Sequence, residues 1–561
     1  MDFEIFGSMF SALQGMFAFE IMMYLFAGVL CGLILGVIPG LGGLTGLSLL
    51  LPFAFTMEPM VSFVFIMGLY AITTTSDTIP AVLFGVPGTI GSAATVMDGY
   101  PMSKRGEAGR ALGAAFTASA IGGIFGAMLL AVSVPILRPV VVQIASPQML
   151  AICIFGLSLV SVLSSGNTLK GLAIACIGVV LATVGEDVHS GTFRWTWNSL
   201  YLYDGLPIVP IALGLFALPE MIDLLRSGQS VAGNAKHLRR GQWDGIKDTI
   251  RNWFLVLRCS AIGSTLGSIP GIGSAIIDWV AYAHVKRTTK GDFGNGDVRG
   301  VIAPEAANNA KEGGALIPTI TFGVPGSVGM ILVLSVLVMH GYYPGPDMLG
   351  DNINVTYTLV WALALANIIG AAICFGFSGQ LAKLTLIRPI FLVPCIVIFC
   401  CIGAYQATES YYDIIVMVIA GVFGWIMKQL GWSRPCLILG FVLGSYIERY
   451  MFISYQRYGW EWLYSPVVAG ILLVTLYGVV APFFKNKKQV DPESGHSKRA
   501  FIQDFVFTTL LTLLCILIFL HSTTMPFSAG IVPGIMGGFA MIFLTCIVGW
   551  QYYKYRLDKL N

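Results

Sequence analysis

The chain has 561 residues, of which 56% are hydrophobic and 11% charged, and its formal net charge is +3. A soluble domain carries roughly 25% charged residues, so this balance, with a mean hydropathy of +0.80, excludes a soluble globular protein and makes the bilayer the solvent. The small net charge gives no basic field for nucleic acid, and the acidic start MDFEIFGSMF does not read as a secretory signal.

In chain order, the first apolar stretches run without Lys or Arg as far as residue 103 and are interrupted at IPGLGG (38–43) and GVPGT (85–89). Each stretch needs about 20 residues to cross the hydrocarbon as a helix, and the basic loops that follow set the cytoplasmic side. After the loop with Lys104, Arg105 and Arg110, helices near 110–136, 139–163, 168–184 and 206–224 return the chain to that side, at the segment from Arg226 to Arg251. From Asn252 to Lys286 the chain leaves and returns, which makes IPGIGS (269–274) a re-entrant tip or a helix break. The crossing from Gly313 to His340 contains GVPGS (323–327). Helices near 355–378, 389–404, 410–426 and 435–448 then lead outside, and 464–484 leads back in. The linker KNKKQVDPESGHSKR (485–499) precedes a last pair near 502–521 and 531–552.

Three motifs are therefore written twice. IPGLGG returns as IPGIGS 231 residues on, GVPGT returns as GVPGS 238 residues on, and LGLF (213–216) returns as LGFV (439–442) at 226. The first half begins outside and ends inside, and the second runs the opposite way. The expected fold is an all-α polytopic membrane protein with two inverted-topology repeats, re-entrant or broken helices at the Pro-Gly motifs, and a C-terminal two-helix appendage. The expected boundaries are 1–225 for the first repeat, 226–252 for a cytoplasmic connecting loop and 253–450 for the second repeat. An additional helix at 451–484, a cytoplasmic linker at 485–500 and the appendage at 501–561 complete the chain. The N-terminus is expected outside and the C-terminus inside.

Interrupted hydrophobic segments at matching places in two halves mark the substrate and ion site of a secondary transporter. Non-helical backbone persists at membrane depth only where protein or a water-filled cavity satisfies it. The expected substrate-binding residues are accordingly those of the four breaks: Pro39, Gly40, Gly42, Gly43 and Thr45, with Pro87, Gly88, Thr89 and Ser92, in the first half. Their counterparts are Pro270, Gly271, Gly273 and Ser274, with Pro325, Gly326 and Ser327. Glycine permits close approach of a ligand to the main chain, and a helix resuming after a break offers free N–H groups to an anion. A single such motif is more often a proline kink with small residues for packing, but four breaks in two matched pairs favour a site.

Carboxylates at depth are the candidates for ion coupling: Asp77 in TTTSDTIP, Asp278 in IIDWV, and Glu305 with Asn308 and Asn309 in APEAANNAKEGGALIP. With Pro304 read as a helix start, the last three share one face, and the plainer role for Glu305 is to stabilise that helix's dipole. Neither Asp77 nor Asp278 has an acidic equivalent in the other half, since the offsets lead to Ala315 and Leu47. The eleven cysteines and six histidines show neither disulfide nor zinc spacing, and the tryptophans suit the membrane interfaces.

LGVIPGLGGLTGLSLLLPFAF, MDGYPMSKRGEAGRALGAA, IPGIGSAIIDWVAYAHVKR, VIAPEAANNAKEGGALIPTITFGVPGS and MHGYYPGPDML together resemble the large membrane subunit of the tripartite tricarboxylate transporters, the TctA family, from about residue 20 to 485. That resemblance implies a bacterial inner-membrane secondary transporter for carboxylates, driven by Na⁺ or H⁺. It implies no cofactor beyond Na⁺ as a coupling ion. The partners it implies are a small four-helix membrane subunit and a periplasmic substrate-binding protein. Two other classes stand beside it on the residues alone: a membrane enzyme acting on a lipid-linked substrate, and a stand-alone permease or channel.

Overall fold

The computed structural model describes residues 3–38, 41–164, 168–187, 189–227, 241–270, 272, 274–384, 389–484 and 498–560. Pro39, Gly40, Gly271 and Gly273, most of the basic stretch after Arg226, and the linker up to residue 497 lie outside these residues, as does the side chain of Ser274.

The helices in the first half are α1 (Phe3–Met16), α2 (Phe19–Val37), α3 (Gly42–Thr56), α4 (Pro59–Ser76), α5 (Thr78–Phe84), α6 (Ala93–Lys104), α7 (Ala108–Val141), α8 (Ser146–Ser164), α9 (Thr168–Ala182), α10 (Leu200–Tyr203), α11 (Ile208–Ala212) and α12 (Leu218–Ser227). Then come α13 (Gln242–Arg251), α14 (Trp253–Gly267), α15 (Ser274–Thr288), α16 (Arg299–Phe322), α17 (Val328–Met339), α18 (Pro346–Leu349), α19 (Ile353–Leu384), α20 (Pro389–Thr408), α21 (Tyr411–Gln429) and α22 (Arg434–Tyr458). The chain closes with α23 (Pro466–Phe484), α24 (Lys498–Ser522) and α25 (Phe527–Leu560). Among the described residues, ten helices are long and apolar enough to cross a membrane. The extended structure among them is one two-residue ladder pairing Gly185–Glu186 with Phe193–Arg194.

The duplicated GVPG acts the same way in both copies. α5 ends at Phe84 because Gly85 turns left-handed (φ 68°, ψ 19°), and α16 ends at Phe322 because Gly323 does so (φ 69°, ψ 15°). A left-handed glycine is the usual helix stop, and the proline two residues on holds the valine before it out of the helical region. The motif's second glycine then lies against the helix just ended. A β-carbon on Gly88 would stand 2.7 Å from Asp77 Cβ, and one on Gly326 would stand 2.5 Å from Ala315 Cα. Each glycine meets the residue eleven positions earlier, so Asp77 and Ala315 are equivalent in space as well as in offset.

The chain forms two compact units, residues 1–143 with 212–421, and 144–211 with 422–561. In the first unit α2 packs on α4 as α14 packs on α16. Glycines four apart carry both contacts: β-carbons on Gly28 and Gly32 would meet the Phe65 and Leu69 carbonyls at 2.2 and 2.3 Å, and those on Gly263 and Gly267 would meet the Ala307 and Lys311 carbonyls at 2.2 and 2.5 Å. Lipid tails are as apolar as leucine, so helices associate by this kind of close backbone packing. Packing is also exchanged between the halves: α7 lies on α16 and α19 on α4, while α17 lies on α3 and α15 on the turn at Ile90–Ser92.

The third duplicated motif has a packing role too. Gly214 would place a β-carbon 2.4 Å from the Met417 carbonyl on α21, and Gly440, in the second unit, would place one 2.0 Å from the Ala175 carbonyl on α9. LGLF departs from its copy in being wound as a π-turn (Leu213–Ala217). α22 runs ten residues past the expected end at 448, through Arg449 and Arg457, and stops at Gly459, whose φ is 57°. In the second unit the C-terminal pair packs on its neighbours, α25 against α9 and α24 against α25. Asp504 accepts hydrogen bonds from Lys170 Nζ (2.7 Å), Trp432 Nε1 (2.9 Å) and Gln551 Nε2 (2.7 Å). Arg194 pairs with Glu448 and also donates to the Ala529 carbonyl at 3.3 Å.

Candidate functional site

The broken segments of the first unit meet around a buried polar core. A β-carbon on Gly42, at the start of α3, would lie 3.2 Å from Thr89 Cγ2, so the start of α3 lies against the first GVPG tip. Ser327, at the second GVPG tip, faces Tyr70 of α4, with 3.2 Å between the hydroxyls. Thr89 donates to Asp77 Oδ2, which ties the tip to the break between α4 and α5. The Gly326 N–H donates to Thr319 Oγ1 at 3.2 Å. No side chain caps the start of α17, so amides there stay available to an acceptor.

Around these tips Asp77, Asp278, Glu305, Lys311 and Glu312 are all buried, with none more than 4% exposed. Glu305 accepts from Thr95 on α6 at 2.7 Å and from Ser119 on α7 at 2.9 Å. Asn309 donates to Thr75 on α4 at 2.7 Å and to Asn367 on α19 at 2.8 Å. Lys311 donates to the Asn308 carbonyl at 3.1 Å and pairs with Glu312. Asp278 lies in electrostatic range of Lys311, Glu305, Asp77 and Glu312, yet both its oxygens meet no donor among the described residues, like Asp77 Oδ1, Glu312 Oε2 and Asn308 Oδ1. Buried polar atoms are ordinarily paired, and this concentration of unpaired acceptors sets the cluster apart from the rest of the unit's interior. Among the described residues no three His, Cys, Asp or Glu side chains converge as a metal set.

The loop between α15 and α16 is held from across the unit. Asp98 Oδ1 accepts the N–H groups of Gly294, Gly296 and Asp297 at 2.8, 2.8 and 2.9 Å, and Oδ2 accepts the Tyr282 hydroxyl at 2.9 Å. Arg105 donates to the Asn295 and Gly296 carbonyls at 2.6 and 2.5 Å. Burial alone would push the Asp297 carboxyl up, but its hydrogen bonds and ion pair with Arg299 outweigh that and hold it below the usual carboxylate range.

Several candidates read from the sequence thus stand together: Gly42, Thr89 and Asp77, then Glu305 and Asn309 with partners on four other helices. Gly43 faces Thr73 and Tyr70, and Thr45 is buried with its carbonyl accepting from Ser48. Ser92 is tied back onto Thr89. The helix carrying Glu305 begins at Arg299, so Pro304 sits inside it rather than at its start. Glu305 is beyond the first turn and serves Thr95 and Ser119, not the helix dipole. Sequence reasoning passed over Tyr70, Thr75, Thr95, Ser119, Lys311, Glu312, Asn367 and Asp98. Lys311 and Glu312 stood in the singled-out stretch APEAANNAKEGGALIP, and a lysine in an apolar segment is itself a signal.

This is the architecture of a polytopic membrane transport protein: paired helix breaks close on buried ionisable groups within a bundle of apolar helices. The model of the tripartite tricarboxylate transporter TctA family matches residues 22–439, and the chain belongs to that family. It is similar to an uncharacterized 52.8 kDa protein in the TAR-I ttuC' 3' region of Agrobacterium vitis, 31% identical over 472 residues, covering 82% of this chain and 94% of that one. It is also similar to an uncharacterized protein in the TAR-II ttuC' 3' region of the same organism, 29% identical over 235 residues, which are 40% of this chain and 97% of that one. No solved structure matches.

Proposed function

We propose that this chain is the large membrane subunit of a binding-protein-dependent secondary transporter that imports a carboxylate, a tricarboxylate or related organic acid, with Na⁺ or H⁺. The carrying observation is the meeting of matched helix breaks around unpaired buried acceptors and one ammonium in a single unit. The tips supply free amides for an anion, and Asp77, Asp278, Glu305, Asn308 and Asn309 supply acceptors for the coupling ion. The repeats are of inverted topology, with the N-terminus outside and the C-terminus in the cytoplasm, so that exchange of roles between the halves turns the site from one side of the inner membrane to the other. A periplasmic substrate-binding protein delivers the acid, and a small membrane subunit completes the complex. The test is uptake of labelled di- and tricarboxylates into proteoliposomes holding the chain with these partners, under separately imposed Na⁺ and proton gradients. Gradient-dependent accumulation of one acid supports the reading. Accumulation of none, in a folded and complete preparation, overturns it.

A further inference from the structure

Lys311 is the one buried basic side chain among the described residues of the first unit, where it stands with four buried carboxylates. Two of its three N–H donors are engaged, one by the Asn308 carbonyl and one by Glu312. Glu312 keeps its second oxygen without a donor. The groups that bear on this pair are few. From α4 comes Tyr70, in electrostatic range of Glu312 and facing Ser327 at the GVPGS tip. From α15 comes Asp278, and Asp77 at the α4–α5 break and Glu305 on α16 itself bear on Lys311. The other helices around this stretch bring uncharged groups: Gly126 on α7, Ser264 on α14 and Asn367 on α19. α17 carries no charged residue, and Asp347 of α18 lies by the far end, where the Gly345 N–H reaches the Ile320 carbonyl.

A lone ammonium among surplus acceptors, one turn from the tips, is what an entering carboxylate would seek, and its present partner is a carboxylate of the same chain. Resting on the reading above, we propose that Lys311 is the counter-ion of a substrate carboxylate and that Glu312 holds its place while the site is empty, so that the two compete for one ammonium. The exchange fixes the charge balance. Before entry the pair is Lys⁺ with Glu⁻; after entry Lys⁺ faces the substrate carboxylate, and Glu312, left in a dry interior without a counter-ion, takes one proton from the side through which the substrate came. For the one carboxylate that meets Lys311 no net charge is added to the core, and one proton accompanies the acid. On release the proton leaves and Glu312 returns to Lys311.

The probe is labelled citrate, in proteoliposomes of the full chain with its partner subunits, followed both as citrate–citrate exchange and as accumulation driven by an imposed pH gradient. E312Q mimics the protonated pair and is expected to keep exchange, made insensitive to pH, while losing at least tenfold of the pH-driven accumulation. K311M is expected to lose both activities. Since K311M leaves a carboxylate stranded, the double variant K311M/E312M serves as its folding control, because removing both members of a buried pair is often tolerated. It should elute as wild type and carry no citrate. Wild-type accumulation by E312Q, accumulation driven by a Na⁺ gradient alone, or citrate transport by the double variant would each overturn the proposal and leave the transporter reading intact. If the wild-type chain moves neither citrate nor any other carboxylate, the transporter reading falls and takes the proposal with it.

Discussion

Adding one methyl group to the second GVPG tip should all but stop transport. In Gly326→Ala the new carbon would stand 2.5 Å from Ala315 Cα, 2.7 Å from its carbonyl oxygen and 2.8 Å from its Cβ. Carbon pairs rest at about 3.5 to 4.0 Å, so the overlap is about 1 Å and falls on main chain that cannot rotate aside. Overpacking of this kind costs about 1–3 kcal/mol. At about 3 kcal/mol the seated tip loses roughly two orders of magnitude in population. Gly88→Ala meets Asp77 Cβ at 2.7 Å and its Cα at 2.8 Å, a smaller overlap worth about 2 kcal/mol and roughly thirtyfold. Carboxylate uptake, normalised to chain in the membrane, is the assay, and Gly376→Ala is the control because nothing lies within 4 Å of its new carbon. Wild-type uptake by Gly326→Ala, or an equal loss in Gly376→Ala, would refute the argument that seating of the tip is what these glycines provide.

Three further expectations concern the clamped loop and the C-terminal pair. Asp98→Ala strands three amides and the Tyr282 hydroxyl, a loss of about 3 kcal/mol that should appear as new protease cleavage within 289–298. Because the Asp297 carboxyl is held low, its pairing with Arg299 is complete above the usual carboxylate range and is lost as pH falls through the lowered value. Protection of that loop from hydrogen exchange should therefore be flat from about pH 8 to pH 5 and decline only below about 4; a decline beginning at pH 6 would contradict this. Lys170→Met leaves Asp504 without its ammonium, 14% exposed and inside the bundle, so the detergent-solubilised protein should lose about 3 kcal/mol of stability. Lys170→Met with Asp504→Leu should recover much of it, as read by melting temperature.

Much of this was legible because glycine and proline act locally. GVPG announces a helix stop by its own dihedrals, and the offset of 238 already paired Asp77 with Ala315, the two residues on which the tip glycines lie. The third pair, LGLF and LGFV, could be seen as a repeat but not explained, because the helices that receive Gly214 and Gly440 are contributed by the opposite half. The helix around Glu305 was misread at its start, since a proline is also tolerated inside a helix when neighbouring helices satisfy the freed carbonyl. The rest of the polar core was hidden by distance along the chain: Thr95 and Ser119 lie 210 and 186 residues from Glu305. Hydroxyl residues of that kind are common in membrane helices and take on meaning only when folding brings a carboxylate to them.

The tie between Lys170 and Asp504 spans 334 residues, and it sets an order of events during synthesis. The ribosome delivers the lysine long before its carboxylate, and the Arg194–Glu448 pair leaves a second cation waiting for 254 residues. Removing one partner of a buried ion pair is costly, so Lys170 and Arg194 lack these carboxylates until residues 504 and 448 are made. A chain broken off before residue 504 keeps the lysine without this carboxylate, so the stability of the second unit is completed only by the C-terminal pair of helices.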